Sequence, residues 1–146
     1  MEIRKALETE RDAWVRLRHE LWPDCPKERH DLEISQILGS DGVVAVALDG
    51  AAMVGFAEVS LRSDHVEGAA ESPVPYLEGW YVVPVHRGKG IGRSLITFIE
   101  DWALSQGYTE LASDAELHNE GSLRAHEKLG FQEVGRSVQF IRMLKS

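Results

Sequence analysis

A run of glycine and basic residues, Arg87-Gly88-Lys89-Gly90-Ile91-Gly92, has the composition of a phosphate-binding turn. It follows an apolar segment, Trp80 to Val83, and precedes a segment whose apolar residues recur at helical spacing from Ile91 to Trp102. A glycine-rich turn that opens a helix directs unpaired backbone N–H groups and the positive end of the helix dipole at one point. The sequence therefore predicts a site for a phosphorylated cofactor, with added positive charge from Arg87, Lys89 and Arg93.

The glycine spacing excludes two common nucleotide-binding motifs. The dinucleotide fingerprint needs glycines at relative positions one, three and six, whereas Gly88, Gly90 and Gly92 stand at one, three and five. The P-loop needs a lysine and a hydroxyl residue after its second glycine, and Gly90 is followed by Ile91. The pattern that fits is Arg-x-x-Gly-x-Gly.

This pattern, after a strand ending Tyr-Val-Val-Pro and before a long helix, resembles the acyl-CoA pyrophosphate loop of the GNAT acetyltransferase superfamily. The resemblance implies acetyl-CoA as co-substrate. It also implies that Asn119, at the start of a later helix, contacts the coenzyme, with ordinary helix N-capping as the alternative. The other implied coenzyme contacts are Tyr81, Val82, Val83, Arg87, Gly88, Lys89, Gly90, Ile91, Gly92 and Arg93.

The elements that must position this loop include both strands and helices. Asp49-Gly50 predicts a hairpin turn, Thr9 and Gly39 predict a helix start and a helix end, and the tail from Phe131 predicts one or two final strands. The order predicts a mixed α/β (α+β) fold with a central twisted sheet flanked by helices, as in the GNAT acyl-CoA N-acyltransferase fold, in a single domain over residues 1–146. Strands are predicted at 1–7, 43–48, 53–61, 76–83 and 108–112, and helices at 9–22, 91–106 and 119–129. A further helix before Gly39 carries the apolar residues Leu32, Ile34, Ile37 and Leu38.

Composition narrows the classes of function. The 146 residues carry a net charge of −8, which disfavours nucleic-acid binding, and no apolar run approaches the ~20 residues that cross a bilayer. The single cysteine, Cys25, fits a reducing cytoplasm and reads as an ordinary loop residue. The six histidines show no close ligand spacing, so no metal is predicted.

Several further segments occur in register with the loop. They are Trp22-Pro23, Ser72-Pro73-Val74, Leu77-Glu78-Gly79, Ala112-Ser113-Asp114, and His126 before Leu129-Gly130-Phe131. Together they resemble the chromosomal type of aminoglycoside 6′-N-acetyltransferase over almost the whole chain. The resemblance implies transfer of acetyl from acetyl-CoA to the antibiotic's 6′-amine by direct attack in a ternary complex, antibiotic resistance, and a homodimer.

Carboxylates suit this chemistry, because they attract an ammonium group and can accept its proton directly or through water. Glu78 and Asp114 are the candidates, with a solvated strand charge and a turn-capping role as the alternatives. Strand alternation predicts that Tyr76, Glu78 and Trp80 share one face, which makes Tyr76 a substrate contact.

Three aromatic side chains complete the predicted site. Trp22 either stacks on an aminosugar ring or packs against the sheet. His65 stands where relatives often carry tyrosine, in a loop expected to touch the antibiotic. His126 either protonates the departing thiolate or only bonds a backbone carbonyl.

Two other functions fit the same residues. The acceptor is a polyamine, peptide or protein amine in the first. In the second the chain is a sensor domain that binds acyl-CoA without turnover. Activity toward a panel of amines separates these alternatives from an aminoglycoside acetyltransferase.

Overall fold

The computed structural model describes residues 1–145, which form two compact units, Met1–Asp114 and the residues from Ala115 onward. The first unit begins with a short strand and ends with another, and the second holds one helix. The elements are β1 (Glu2–Lys5), α1 (Arg11–Leu21), α2 (Lys27–Leu38), β2 (Val43–Asp49), β3 (Ala52–Arg62), β4 (Val74–Val82), α3 (Ile91–Ser105), β5 (Ala112–Ser113) and α4 (Glu120–Lys128). Within residues 1–145, no helix has the length and apolar character needed to cross a membrane.

One sheet with the strand order β1-β2-β3-β4-β5 organises the first unit. The first four strands pair antiparallel in chain order, and β5 pairs parallel to β4. Gly50 supplies the positive φ of 62° that the turn between β2 and β3 requires, as its Asp-Gly sequence predicts. The predicted mixed α/β sheet is therefore present.

Helices cover both faces of the sheet. On one face, α1 and α2 pack Trp14, Leu17 and Ile34 against apolar side chains of β2 and β3 such as Phe56. On the other face, α3 buries an apolar stripe, and a Cβ added at Gly55 of β3 would lie 3.3 Å from Leu95 of α3. This second core holds the start of α3, and with it the glycine loop, against the sheet.

The first helix begins later than predicted. Thr9 lies in a 3₁₀ turn, Glu8–Glu10, and α1 begins at Arg11. The reason is Glu10, whose carboxylate accepts from the backbone N–H of Leu7 at 2.8 Å and from Arg4 at 2.8 Å and 2.9 Å. This ion pair ties the turn to β1 and replaces the predicted threonine cap.

Two predicted strand regions are wrong in extent. Residues 108–111 are irregular, and only Ala112 and Ser113 pair with β4. The tail over 131–145 contains no strand. A strand needs a neighbour for its backbone hydrogen bonds, and no other strand occurs in residues 115–145 as the structure describes them.

A buried ion pair links α1 to β3. Arg18 and Glu58 are 3% and 1% exposed, and the guanidinium donates to both carboxylate oxygens at 3.0 Å and 3.1 Å. The indole of Trp14 donates to the same carboxylate at 3.0 Å. Burial raises the pKa of Glu58 to about 7, and the attraction of Arg18 and the bond from Trp14 offset only part of that effect. This network was not predicted from the sequence.

Candidate active site

The glycine loop joins β4 to α3 through a short 3₁₀ turn, Pro84–His86. Gly88 and Gly90 have φ of 80° and 83°, the left-handed region that favours glycine, and nothing lies within 4 Å of a Cβ added at either position. Helix α3 begins at Ile91, and its first helical hydrogen bond runs from Ser94 to the carbonyl of Gly90. The amides before Ser94 and the exposed cations Arg87, Lys89 and Arg93 therefore surround an open turn.

The strand before the glycine loop, β4, and the strand after α3, β5, separate from each other. Strand β5 pairs only with Tyr76 and Leu77, whereas β4 continues to Val82. The amide of Val83 donates to Val54 on β3 at 2.9 Å. Because backbone groups alternate in direction along a strand, the amide and carbonyl of Val82 point to the edge that β5 leaves open. That carbonyl accepts from Arg87 Nε at 2.7 Å.

A β-bulge separates side chains that the sequence placed on one face. Glu78 is an extra residue in β4 relative to β3. As a result Trp80 turns to the face covered by α3, where its indole donates to the carbonyl of Gly92 at 3.2 Å. The prediction that Tyr76, Glu78 and Trp80 share one face is therefore wrong for Trp80.

Glu78 is bound by two residues of β3. Arg62 donates to its two carboxylate oxygens at 2.5 Å and 2.9 Å, and Ser60 also donates to it through its hydroxyl. The guanidinium lies over the ring of Tyr76, 3.5 Å from the centroid. Its hydrogen bonds to Glu78 raise the pKa of Arg62, so the cation is permanent. The alternative of a merely solvated strand charge does not describe Glu78.

Ser60 and Arg62 were not predicted as site residues from the sequence. Their signal was available, because polar residues at positions 58, 60 and 62 alternate along an otherwise apolar strand that precedes Glu78 in the sheet. The predicted strand ended one residue too early, at Leu61, and this placed Arg62 in a loop.

Asp114 lies immediately after β5 and is exposed. The phenol of Tyr76 donates to its carboxylate at 2.6 Å. Burial, together with this hydrogen bond, raises the pKa of Tyr76 to about 12, so the phenol stays protonated and neutral. Tyr76 therefore brings Asp114, Arg62 and Glu78 into one cluster, hereafter the carboxylate cluster.

Trp22 follows α1 and packs against Gly79, the residue after Glu78. Its ring stacks on His30, with 6.2 Å between centroids and 21° between planes, and meets Phe56 edge-on. A Cβ added at Gly79 would come within 2.5 Å of the Trp22 ring. Trp22 therefore packs against the sheet, which was one of its two predicted roles. The indole is only half-buried, so it also retains exposed surface for a ligand.

Replacing Gly79 by alanine is expected to displace Trp22 and lower the free energy of unfolding by about 1–3 kcal/mol, as overpacking does. Urea unfolding and the near-ultraviolet circular dichroism of the tryptophans measure both effects. Gly39→Ala is the matched control, since its added Cβ would lie 3.5 Å from the nearest atom. A Gly79→Ala variant as stable as the wild type would contradict the packing described here.

Two glutamates fix the loop that carries His65. Glu110 accepts from the amides of Ala70 and Glu71 at 2.7–3.1 Å, and Glu71 accepts from the amide of Thr109 at 2.9 Å. His65 itself is exposed and lies 3.3 Å from Glu67. These hydrogen bonds therefore hold in place the loop that carries His65, the predicted substrate contact.

The buried His30 belongs to an ion-pair network with possible metal ligands. Its ligand atom lies within 4.8 Å of those of Cys25 and Glu33. However, Arg18 donates to His30 Nδ1 and also binds Glu33, and the other ring nitrogen meets the carbonyl of Trp22. A guanidinium bound to two of the three ligands would repel a metal ion, and burial lowers the pKa of His30.

In the second unit, Asn119 and His126 make local contacts of α4. The Asn119 side chain accepts from the amide of Ser122 at 3.1 Å, which is the predicted N-cap. His126 Nδ1 lies 2.7 Å from the carbonyl of Ser122, and its ring meets Phe131 at 5.0 Å between centroids. Both backbone-bonding alternatives are therefore observed, and the coenzyme and acid roles stay predictions.

Comparison with known proteins identifies the family. The model of the acetyltransferase (GNAT) family matches residues 6–131. The chain belongs to this family. Two solved structures superpose on this chain, each with a TM-score of 0.91. They are AAC(6')-Iy in complex with the bisubstrate analog CoA-S-monomethyl-acetylneamine (34% identity, 98% of each chain) and apo AAC(6')-IG from Acinetobacter haemolyticus (36% identity, 99% of this chain and 100% of that one). The predicted family and fold are confirmed.

Curated relatives of this GNAT protein share its length. The aminoglycoside N(6')-acetyltransferase type 1 of Stenotrophomonas maltophilia is 43% identical over 140 residues, which cover 94% of this chain and 90% of the relative. The enzyme of the same name from Serratia marcescens is 44% identical over 136 residues, with 91% and 92% coverage.

Proposed function

We propose that this protein transfers acetyl from acetyl-CoA to the 6′-amino group of aminoglycoside antibiotics and thereby confers resistance. The observation that carries the proposal is the carboxylate cluster, in which Glu78 and Asp114 are brought together beside Trp22 at the open edge of β4. The full-length similarity to enzymes named for this activity supports it. The family match runs through both compact units, which supports one GNAT domain.

The glycine loop suits the coenzyme because its open, left-handed glycines and exposed cations match a pyrophosphate. When bound, the coenzyme supplies an acetyl group activated as a thioester. The Val82 amide, directed to the open edge, would donate to the carbonyl oxygen of that group, a role for which fixed dipoles suit.

The carboxylate cluster acts on the amine. A protonated amine has no lone pair, so Glu78 and Asp114 must orient it and take up one proton, directly or through water. In the transfer, the neutral amine nitrogen bonds to the acetyl carbon and the bond from that carbon to sulfur breaks. The nitrogen then loses a second proton to become the amide, and the departing thiolate takes up one proton. Tyr76 holds Asp114, and Trp22 offers an aromatic plane to a sugar ring.

The test is growth of a susceptible host that expresses the protein on kanamycin, tobramycin and amikacin, with a thiol-release assay on the purified enzyme. Protection together with thiol release supports the proposal. Release only with polyamines or peptide amines would favour the alternative acceptor. Coenzyme binding without release from any amine would favour a sensor domain.

Replacing Gly90 by alanine is expected to weaken coenzyme binding about tenfold, since a left-handed residue with a Cβ costs roughly 1–2 kcal/mol and strains the loop. Calorimetry with coenzyme A measures the effect. Gly107→Ala is the matched control, because Gly107 has a φ of 90°, also has open space, and lies at the far end of α3. Equal coenzyme affinity in the two variants would show that the glycine loop does not bind the coenzyme.

We also propose a homodimer located in the cytoplasm. Large apolar side chains of the tail are exposed, which favours their burial against a second copy: Val138, Phe140, Ile141, Met143 and Leu144. Cys25 as single cysteine suits a reducing compartment. Sedimentation equilibrium tests the assembly, and a monomer at micromolar concentration would contradict it.

A further inference from the structure

Each carboxylate of the cluster already has a partner, and the partners differ in charge. Glu78 is bound by the cation of Arg62, whereas Asp114 is bound by the neutral phenol of Tyr76. We propose that Arg62 is a positioning residue that neutralises Glu78 and keeps the acceptor amine beside it neutral and nucleophilic, while Asp114 supplies the net negative charge that attracts the cationic substrate. This inference rests on the proposed acetyl transfer to an aminoglycoside.

The geometry holds Arg62 in place. Its planar fork makes two hydrogen bonds to Glu78, and its face stacks on Tyr76 at 3.5 Å from the ring centroid. Arg62 is the last residue of β3, and its backbone pairs with Val74 of β4. A bidentate, stacked guanidinium is pre-organised and loses little further freedom. A loosely held surface arginine would simply swing away when a substrate cation arrives.

The charges around Arg62 leave a single excess negative charge. The groups that act on it electrostatically include Glu78 and Tyr76 of β4 and Asp114 after β5. Glu78 and Arg62 cancel, and Tyr76 is neutral. Glu58 of the same sheet also interacts electrostatically with Glu78, and it is itself paired with Arg18. Asp114 is therefore the carboxylate of the cluster whose charge stays uncompensated.

An amine bound at Glu78 has a fixed guanidinium as its neighbour. A unit positive charge within about 5 Å lowers the pKa of an adjacent ammonium by roughly one unit or more at a partly exposed site. The amine thus loses its proton more easily than it would beside an unpaired carboxylate. Attraction by Asp114 then provides affinity for the cationic substrate, and Arg62 keeps the substrate's amine in the neutral form that reacts.

The test compares Arg62→Gln and Arg62→Met, which remove the charge, with Arg62→Lys, which keeps it. Steady-state kinetics with tobramycin across pH give kcat and KM. We expect the neutral variants to lower kcat near neutral pH about tenfold, to move its acidic limb upward by roughly one pH unit, and to lower KM. Arg62→Lys should keep the limb within about half a unit of the wild type. Melting curves verify that each variant folds.

Calorimetric titration with tobramycin in buffers of different ionisation enthalpy separates this inference from the proposed function. The wild type should release more protons on binding than the neutral variants, whether or not turnover follows. That result without thiol release would sustain the role of Arg62 and overturn the aminoglycoside function. An unchanged acidic limb, a raised KM in both neutral variants, equal proton release, or no tobramycin binding by the wild type would each overturn the inference.

Discussion

Replacing Glu78 or Asp114 by alanine is expected to lower kcat/KM for tobramycin by about tenfold or more in each case, the scale of one lost charged contact. Both changes bring the cluster from one excess negative charge to none, because Arg62 stays in place. Steady-state kinetics at fixed coenzyme concentration measure the loss.

The two variants should differ in which constant changes. Asp114→Ala removes attraction for the substrate and should mainly raise KM. Glu78→Ala removes a carboxylate that orients the amine and takes up its proton, and should mainly lower kcat. Added salt should weaken the Asp114 effect more, since that carboxylate is exposed and screened.

A matched control is Glu100→Ala, which removes one exposed carboxylate from α3, away from the cluster. Its kinetics should equal those of the wild type within about twofold, because surface substitutions away from a site have small effects. Wild-type kinetics in both Glu78→Ala and Asp114→Ala would refute the assignment of the site.

The second large effect concerns stability. Replacing Glu58 by alanine is expected to lower the free energy of unfolding by about 3 kcal/mol, because buried donors of Arg18 and Trp14 lose their acceptor. Urea unfolding monitored by circular dichroism gives the value. Glu33→Ala is the matched control: Glu33 binds the same arginine but is 32% exposed, so its loss should cost less than about 1 kcal/mol.

The pKa of Glu58 adds a pH dependence with a definite sign. Its value in the folded protein, about 7, lies above that of an unfolded glutamate. The stability that this group contributes is therefore fully present below the unfolded pKa and is lost as pH rises through about 7. The destabilisation by Glu58→Ala should therefore be larger near pH 5.5 than near pH 8. A larger loss at the higher pH would show that Arg18 dominates the pair.

The elements with a local signal were predictable. The glycine loop can be recognised from its residue types and their spacing, because the left-handed φ at positions 88 and 90 favours glycine. The Asp49-Gly50 turn and the apolar stripe of α3 depend on the same kind of local rule. Glu78 and Asp114 were predicted as site residues because they lie in segments that resemble one branch of a known family.

Features that depend on pairing between distant segments were not predictable in this way. The bulge at Glu78 follows from the register of β4 against β3, and it reverses the face of Trp80. Strand β5 and the tail were overpredicted, since alternating apolar residues show a tendency to extend but not whether a neighbouring strand is present.

The sequence by itself determined the GNAT family and the acyl donor, and it predicted two acidic residues for the amine, because motifs are short-range patterns that survive without coordinates. The tertiary structure alone decided their electrostatics. Arg62 reaches Glu78 across 16 positions of chain, and Tyr76 reaches Asp114 across 38. Which carboxylate is neutralised and which keeps its charge depends on these contacts, because Coulomb energies follow distance and burial rather than order along the chain.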